Sequence, residues 1–226
     1  MERTTDTYTT TRYGKEVEIH KPSGSTPITE QSKLYEIKKA LTKGIMNEKG
    51  KVIIKAPHEK YYILWSLSLG LGFRISDTLK LTVKDVTSSN AEITEQKTGK
   101  RRMVTVPAGL QPVINEYIRK YDLKENDKLI FANRKDEAKD KAIDKSQAYR
   151  KLREIVEAVC PDVQFSNHTT RKTWAYFLYL KEDKNIAIVQ KALNHTSSLT
   201  TCDYIGLSKK ELKETLIKYD PMSGEW

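Results

Sequence analysis

Cysteine is scarce: the 226 residues hold 2, Cys160 and Cys202. Two thiols so far apart in a lysine-rich chain make no disulfide framework, which points to a reduced, cytosolic compartment. Long apolar runs are missing too, and none approaches the ~20 residues that a membrane span needs. The start, Met1-Glu2-Arg3-Thr4-Thr5-Asp6, lacks the apolar core of a secretion signal, so the sequons at Asn167 and Asn194 say nothing about glycosylation. Metal patterns are lacking: His20, His58, His168 and His195 with two separated cysteines give no zinc spacing, and no carboxylates cluster as ligands. Nucleotide loops fail on single positions. Gly70 and Gly72 open a Gly-x-Gly, but Ile75 stands where a third glycine belongs. Gly99-Lys100 would close a phosphate loop only with glycine at 94, where Thr94 stands.

What the chain does have is positive charge. Lys and Arg total 40 against 30 Asp and Glu, for a net charge of +10 and a pI near 9.3. Such an excess draws polyanions, of which DNA is the commonest in the cytosol. A soluble protein from a lineage that favours lysine accounts for the charge equally well, so charge suggests a partner without identifying one. The 38% of hydrophobic residues suffices for a core, and a mean hydropathy of −0.64 describes a well-solvated surface. The length fits one domain with an extension, or two small domains.

Along the chain, residues 1 to about 32 are rich in Thr, Ser and charge, with Pro22 and Pro27, and little order is expected there. Leu34, Ile37, Leu41 and Ile45 predict an amphipathic helix over about 33–46. Tyr61 to Leu71 is apolar nearly all round and reads as a buried helix. Two alternating runs, 91–94 and 102–106, flank Lys97-Thr98-Gly99-Lys100 and predict a β-hairpin with a basic tip. Further helices are expected from Leu110 to Ile118, after an Asp144/Gln147 capping box, and over about 168–180, 184–193, 197–206 and 209–218. Leu129-Ile130-Phe131 reads as a short strand or buried connector, and the charged stretch from Arg134 to Lys145 as a loop. No internal repeat appears. The class is α+β, mostly helical with a small antiparallel β-sheet.

With metal and nucleotide motifs missing, any DNA chemistry falls to side chains. Arg74 emerges where the buried helix meets the next element, a place where a lone arginine usually makes a structural ion pair. His168 and Arg171 lie three apart on a predicted helix and share a face, as a site would need and as a helix cap would also explain. His195 precedes Tyr204 by nine residues, and a tyrosine in a late helix more often packs than reacts.

The order of these elements outweighs each alone. Gly72-Phe73-Arg74-Ile75-Ser76-Asp77-Thr78-Leu79-Lys80-Leu81 resembles the arginine box of tyrosine recombinases, the phage integrase family. Lys97-Thr98-Gly99 is similar to that family's hairpin lysine, His168-Thr169-Thr170-Arg171 to its His-x-x-Arg box, and Leu193-Asn194-His195-Thr196-Ser197 through Tyr204 to its closing segment. Two positions depart. Asn194 stands for the usual glycine, and the His168 box lacks its common apolar residue and following histidine. Asn tolerates left-handed geometry, so the turn at 194 can survive.

The resemblance implies a tyrosine-recombinase catalytic domain over 51–226 with a C-terminal tail helix. An N-terminal extension, 1–50, would stand where most members carry a helical DNA clamp, here absent, truncated or removed. It implies cleavage and rejoining of double-stranded DNA through a 3′-phosphotyrosine, with no cofactor, metal or ATP. Tyr204 would be the nucleophile, Arg74 and Arg171 the phosphate clamp, and His195 a further donor. Lys97 would be the acid for the leaving 5′-oxygen, and His168 the base. Partners would be a homo-tetramer on two DNA sites and accessory DNA-bending proteins, with no membrane. A topoisomerase-like relaxing enzyme and a non-cleaving DNA-binding regulator on the same fold are the alternatives.

Overall fold

The computed structural model describes residues 7–12, 15–20, 25–47, 50–56, 58–132 and 139–207. It divides into two compact units, Met1–Trp174 and Ala175–Trp226. In the first, β1 (Thr7–Arg12) pairs antiparallel with β2 (Lys15–His20). This differs from the little order expected of residues 1–32. β1 holds four Thr and β2 holds Val17 and Ile19, and β-branched residues favour the extended backbone even where the composition is polar.

Three helices build the core of this unit. α1 (Gln31–Lys43) buries Ile37, Ala40 and Leu41, close to the bounds that its periodicity predicts. It leads through Gly44 to a short antiparallel pair, β3 (Ile45–Met46) with β4 (Val52–Ile54), which sequence patterning did not anticipate. α2 (Glu59–Leu71) is apolar nearly all round and sits inside accordingly, with Ile63, Leu64, Trp65, Leu67 and Leu71 buried. α6 is the third helix of this core (Lys145–Val159). Asp144 caps it by accepting from the backbone of Ser146 and Gln147. The Gln147 amide reaches the Tyr61 hydroxyl at 3.5 Å. α6 buries Ala148, Leu152, Ile155 and Val156 in the same cluster as α1 and α2.

Smaller elements connect these layers. α3 (Ile75–Thr78) and α4 (Val83–Thr87) follow α2, and α4 starts on a capping box in which Thr82 and Asp85 bond each other's backbone. The expected hairpin is present as β5 (Glu92–Thr94) and β6 (Arg101–Met103), with Glu92 opposite Met103 and Thr94 opposite Arg101. Its second strand is shorter than the alternation to Val106 suggests. α5 (Gln111–Lys120) follows a 3-10 turn at Ala108–Leu110. Phe131 makes a bridge with Ala142, so the Leu129–Phe131 connector is a buried link rather than a full strand. Among the described residues the β-structure is three separate antiparallel pairs rather than one small sheet. α7 (Thr169–Lys181) begins in the first unit.

In the second unit, α8 (Ile186–Leu193) is capped by Asn185 and packs on α9 (Ser198–Ile205). Val189 and Leu193 are buried on α8, and Thr201 and Ile205 on α9. The expected tail helix, 209–218, lies outside the described residues. No helix of the described residues is long and apolar enough to cross a membrane.

One corner governs how the first unit presents its polar residues. α2 ends at Gly72, whose φ of 61° is left-handed and whose N–H donates to the Ser68 carbonyl. A β-carbon on Gly72 would overlap the indole of Trp174. Gly72→Ala is therefore expected to lower the unfolding free energy by about 2–4 kcal/mol, from left-handed strain and overpacking together. Chemical denaturation measures this. A loss below about 0.5 kcal/mol, the range of an ordinary surface substitution, would show that Trp174 moves aside freely.

Candidate active site

Two of the sequence-expected residues of the first unit, Arg74 and Arg171, meet at one carboxylate that sequence reasoning missed. Glu95 follows β5, is 1% exposed, and lies within ion-pair distance of three arginines. Its Oε2 is 3.1 Å from Nη1 of Arg74. Its Oε1 is 3.4 Å from Nη1 of Arg171 and 3.7 Å from Nη1 of Arg102. The Thr98 hydroxyl donates to Oε2 at 2.7 Å. Burial alone would raise the pKa of this carboxyl. The Thr98 hydrogen bond and the charges of Arg171 and Arg74 outweigh that and hold it below the ordinary carboxylate value.

The arginines are held unequally. Arg171, on the first turn of α7, is fully buried, and its Nη1 donates to the Gly72 carbonyl at 2.8 Å. Arg102 donates to the carbonyls of Leu71 at 2.8 Å and Gly72 at 3.2 Å, and its guanidinium lies over the Phe73 and Trp174 rings. Both satisfy the end of α2, where carbonyls lack helical partners and the helix dipole favours cations. Burial, with Arg171 and Arg74 close by, pulls the Arg102 pKa down to about 10, which still leaves it charged at neutral pH. Arg74 stands just before α3 in extended conformation, and its ion contacts are with Glu95 and, at 3.9 Å, Asp77.

Lys97 is exposed in the hairpin turn two residues beyond Glu95. The turn is fixed from both sides. The Gln96 N–H donates to Asp77 Oδ1 at 2.9 Å, and the Gly99 N–H to the Glu95 carbonyl. His168 sits immediately before α7, half-buried, with its N–H donating to Ser166 Oγ. Burial first, then the positive charges of Arg74, Lys97, Arg171 and Lys172, hold its imidazole below the ordinary histidine value. Arg74, Lys97, His168 and Arg171 thus share one strongly positive neighbourhood.

The second unit brings His195 and Tyr204 together. Their rings meet edge to face, with centroids 5.2 Å apart and planes at 83°. His195 follows Asn194, which ends α8 in left-handed conformation at φ 61°. The His195 N–H donates to the Gln190 carbonyl, and the Gln190 amide returns a bond to the His195 carbonyl. Nδ1 of His195 is 3.1 Å from the Thr201 hydroxyl, which itself donates to the Ser197 carbonyl. With that hydroxyl proton committed, the network assigns the hydrogen of this contact to Nδ1. Tyr204 lies half-buried on α9. Thr201 lies inside the closing segment quoted from the sequence, but nothing there marked it as the partner of the His195 ring.

The chain matches the phage integrase family over residues 43–211. A probable integrase/recombinase of Bacillus subtilis, YoeC, is 35% identical over 184 residues, covering 81% of this chain and 90% of that protein. The chain belongs to the phage integrase family. The tyrosine recombinase XerA of Pyrococcus furiosus is 27% identical over 80% of this chain and 63% of its own length. The fold is similar to that of the XerH site-specific recombinase in its post-cleavage complex with a palindromic difH substrate. The TM-score is 0.62 at 23% identity, over 85% of this chain and 52% of that one. The chain thus spans less than two thirds of XerA and about half of the XerH chain.

Within this tyrosine recombinase domain the departure at position 194 has a structural answer. Asn194 takes the left-handed turn that a glycine would take, one of few L-residues that do so readily. Asn194→Gly should stay within about 0.5 kcal/mol of the parent, whereas Asn194→Val should cost about 1–2 kcal/mol. Thermal unfolding of the two variants tests this, and equal stability of both would mean that the turn adapts to a right-handed backbone.

Proposed function

We propose that this domain is a site-specific DNA recombinase of the integrase type. It breaks and rejoins DNA at paired sites through a 3′-phosphotyrosine on Tyr204, acting in the cytoplasm without metal or ATP. The observation that carries the reading is the convergence of Arg74 and Arg171 on one buried carboxylate beside the Lys97 turn. Buried guanidiniums at the end of a helix make a receptor for a phosphate diester, because their planar donors match its two non-bridging oxygens and stay charged.

The chemistry follows from the side chains. The Tyr204 oxygen attacks phosphorus while its proton passes to His168, and the bond to the 5′-oxygen breaks as Lys97 protonates it. A 5′-hydroxyl from another strand then attacks the phosphotyrosine and releases Tyr204. Arg74 and Arg171 stabilise the charge that grows on the non-bridging oxygens. His195, with Nδ1–H engaged by Thr201, gives phosphate a donor at Nε2 as the imidazolium, a form that the phosphate charge favours. The excess of positive charge supports double-stranded DNA as the partner. Recombination between two sites would use four copies of the chain together with accessory DNA-bending proteins.

Covalent capture tests the reading. The parent chain should form a DNA adduct on a nicked suicide duplex, and peptide mapping should find it on Tyr204. Tyr204→Phe should keep DNA binding and form no adduct. An adduct in the Phe variant would move the nucleophile to another tyrosine. A parent chain that binds without any adduct would make the domain a non-cleaving DNA-binding protein.

The lowered pKa of His168 sets the pH dependence. A histidine below its ordinary value of 6.5 is neutral at pH 7 and stays a competent base as pH falls past 6.5. The single-turnover cleavage rate should therefore keep its plateau to below that pH and decline only through the depressed value. His168→Gln should lower the plateau about 10²- to 10⁴-fold, the span of general-base catalysis, and remove that acid limb. An acid limb unchanged in the variant would take the base role from His168.

A further inference from the structure

The three arginines around Glu95 differ in what holds them, and that difference has a functional reading. Arg171 and Arg102 each donate to backbone carbonyls at the end of α2, so they keep a partner whatever the charge of Glu95. Arg74 has no such carbonyl. Its Nη1 is buried and makes no hydrogen bond, although Glu95 Oε2 is 3.1 Å away. That contact is a close ion pair, and Glu95 is the nearest anionic partner of Arg74. Asp77 is farther, at 3.9 Å, and its Oδ1 is occupied by the Gln96 N–H. Arg74 is thus held by charge more than by direction.

We propose that Glu95 is a positioning residue for phosphate recognition: its buried carboxylate holds the Arg74 guanidinium by Nη1 before DNA arrives, and leaves the rest of that partly exposed guanidinium to meet the incoming phosphate. The inference rests on the recombinase reading above. Its physical basis is twofold. Three guanidiniums against the carboxylates of Glu95 and Asp77 leave one net positive charge, the complement of one phosphate diester. Without Glu95 the arginines would repel one another, and the one lacking a carbonyl partner would be displaced. The hairpin links this to the acid of the reaction. Glu95 accepts from Thr98, the neighbour of Lys97, so the same carboxylate steadies the turn that carries the lysine.

Glu95→Gln tests the idea, because the amide keeps size and hydrogen bonding while removing charge. In the full chain, single-turnover cleavage of a nicked suicide duplex should fall about 10- to 100-fold, the cost of misplacing a positioned group. The Kd for the duplex should stay within about threefold, since phosphate contacts elsewhere dominate affinity. The deciding measurement is a double-mutant cycle. In an Arg74→Ala background, Glu95→Gln should cost less than about threefold further, because residues that act through one another are not additive. A general structural role predicts that the two losses multiply, and that result, or parent-like cleavage by Glu95→Gln, would overturn the proposal. Glu95→Asp keeps the charge and should recover most of the rate if the Gln variant folds poorly; an Asp variant as slow as Glu95→Gln counts against a charge-borne role. Guanidinium NMR of the DNA-free protein gives a readout without chemistry. Arg74 resonances should average in Glu95→Gln while those of Arg171 and Arg102 persist, and unchanged Arg74 signals would also count against the proposal. A parent chain that forms no adduct would defeat the recombinase reading, while the NMR spectra would still decide whether Glu95 orders Arg74.

Discussion

A carboxylate taken out of water costs several kcal/mol unless charges and hydrogen bonds replace its hydration. A buried guanidinium has the same problem with opposite sign. At Glu95 the two solve each other's: three arginines and a threonine hydroxyl surround one carboxylate that is 1% exposed. The arrangement joins the hairpin, the end of α2, the start of α3 and the start of α7. Removing Glu95 would leave three largely buried guanidiniums without their shared carboxylate, which is costlier than never having buried them. The cluster ties Arg74, Arg171 and the Lys97 turn to one carboxylate.

The cluster needs a place to form, and Gly72 supplies it. By ending α2 in a left-handed turn, it leaves the carbonyls of Leu71 and Gly72 to receive Arg102 and Arg171. By lacking a β-carbon, it lets Trp174 lie directly on the turn, where the indole and Phe73 flank the Arg102 guanidinium. Stacking of a guanidinium on aromatic faces suits its weak hydration and limits the cost of burying it. One glycine thus connects helix termination, aromatic packing and the placing of two charges. Asp77 extends the scheme outward, since its bond to the Gln96 N–H fixes the backbone next to Lys97.

The second unit is organised on a shorter range. His195 and Tyr204 are brought together by two helix turns and one left-handed residue, all within α8, α9 and the link between them. Thr201 orients the imidazole by spending its own proton on the helix backbone at Ser197.

Sequence by itself determined what rests on local physics. Apolar periodicity located α1, α5 and α6 to within a few residues, because a buried face must repeat at the helical period, and an all-round apolar run located α2. Asp144 marked a helix start because its side chain bonds its own near backbone. The order of the four boxes named Arg74, Lys97, His168, Arg171, His195 and Tyr204 as candidates. Composition misjudged the N-terminal segment, where a threonine-rich strand pairs with one carrying Val17 and Ile19, and short elements such as β3, β4 and α4 offered too few residues for a period to show. Only tertiary structure decided that Glu95 is buried, that Arg102 joins the two expected arginines, and that Asp77 secures the hairpin. Nothing local distinguishes Glu95 from a solvated strand-end glutamate. Its burial follows from three cations that are distant in the chain and neighbours only after folding, and an interaction between charges depends on distance in space, which a sequence does not contain.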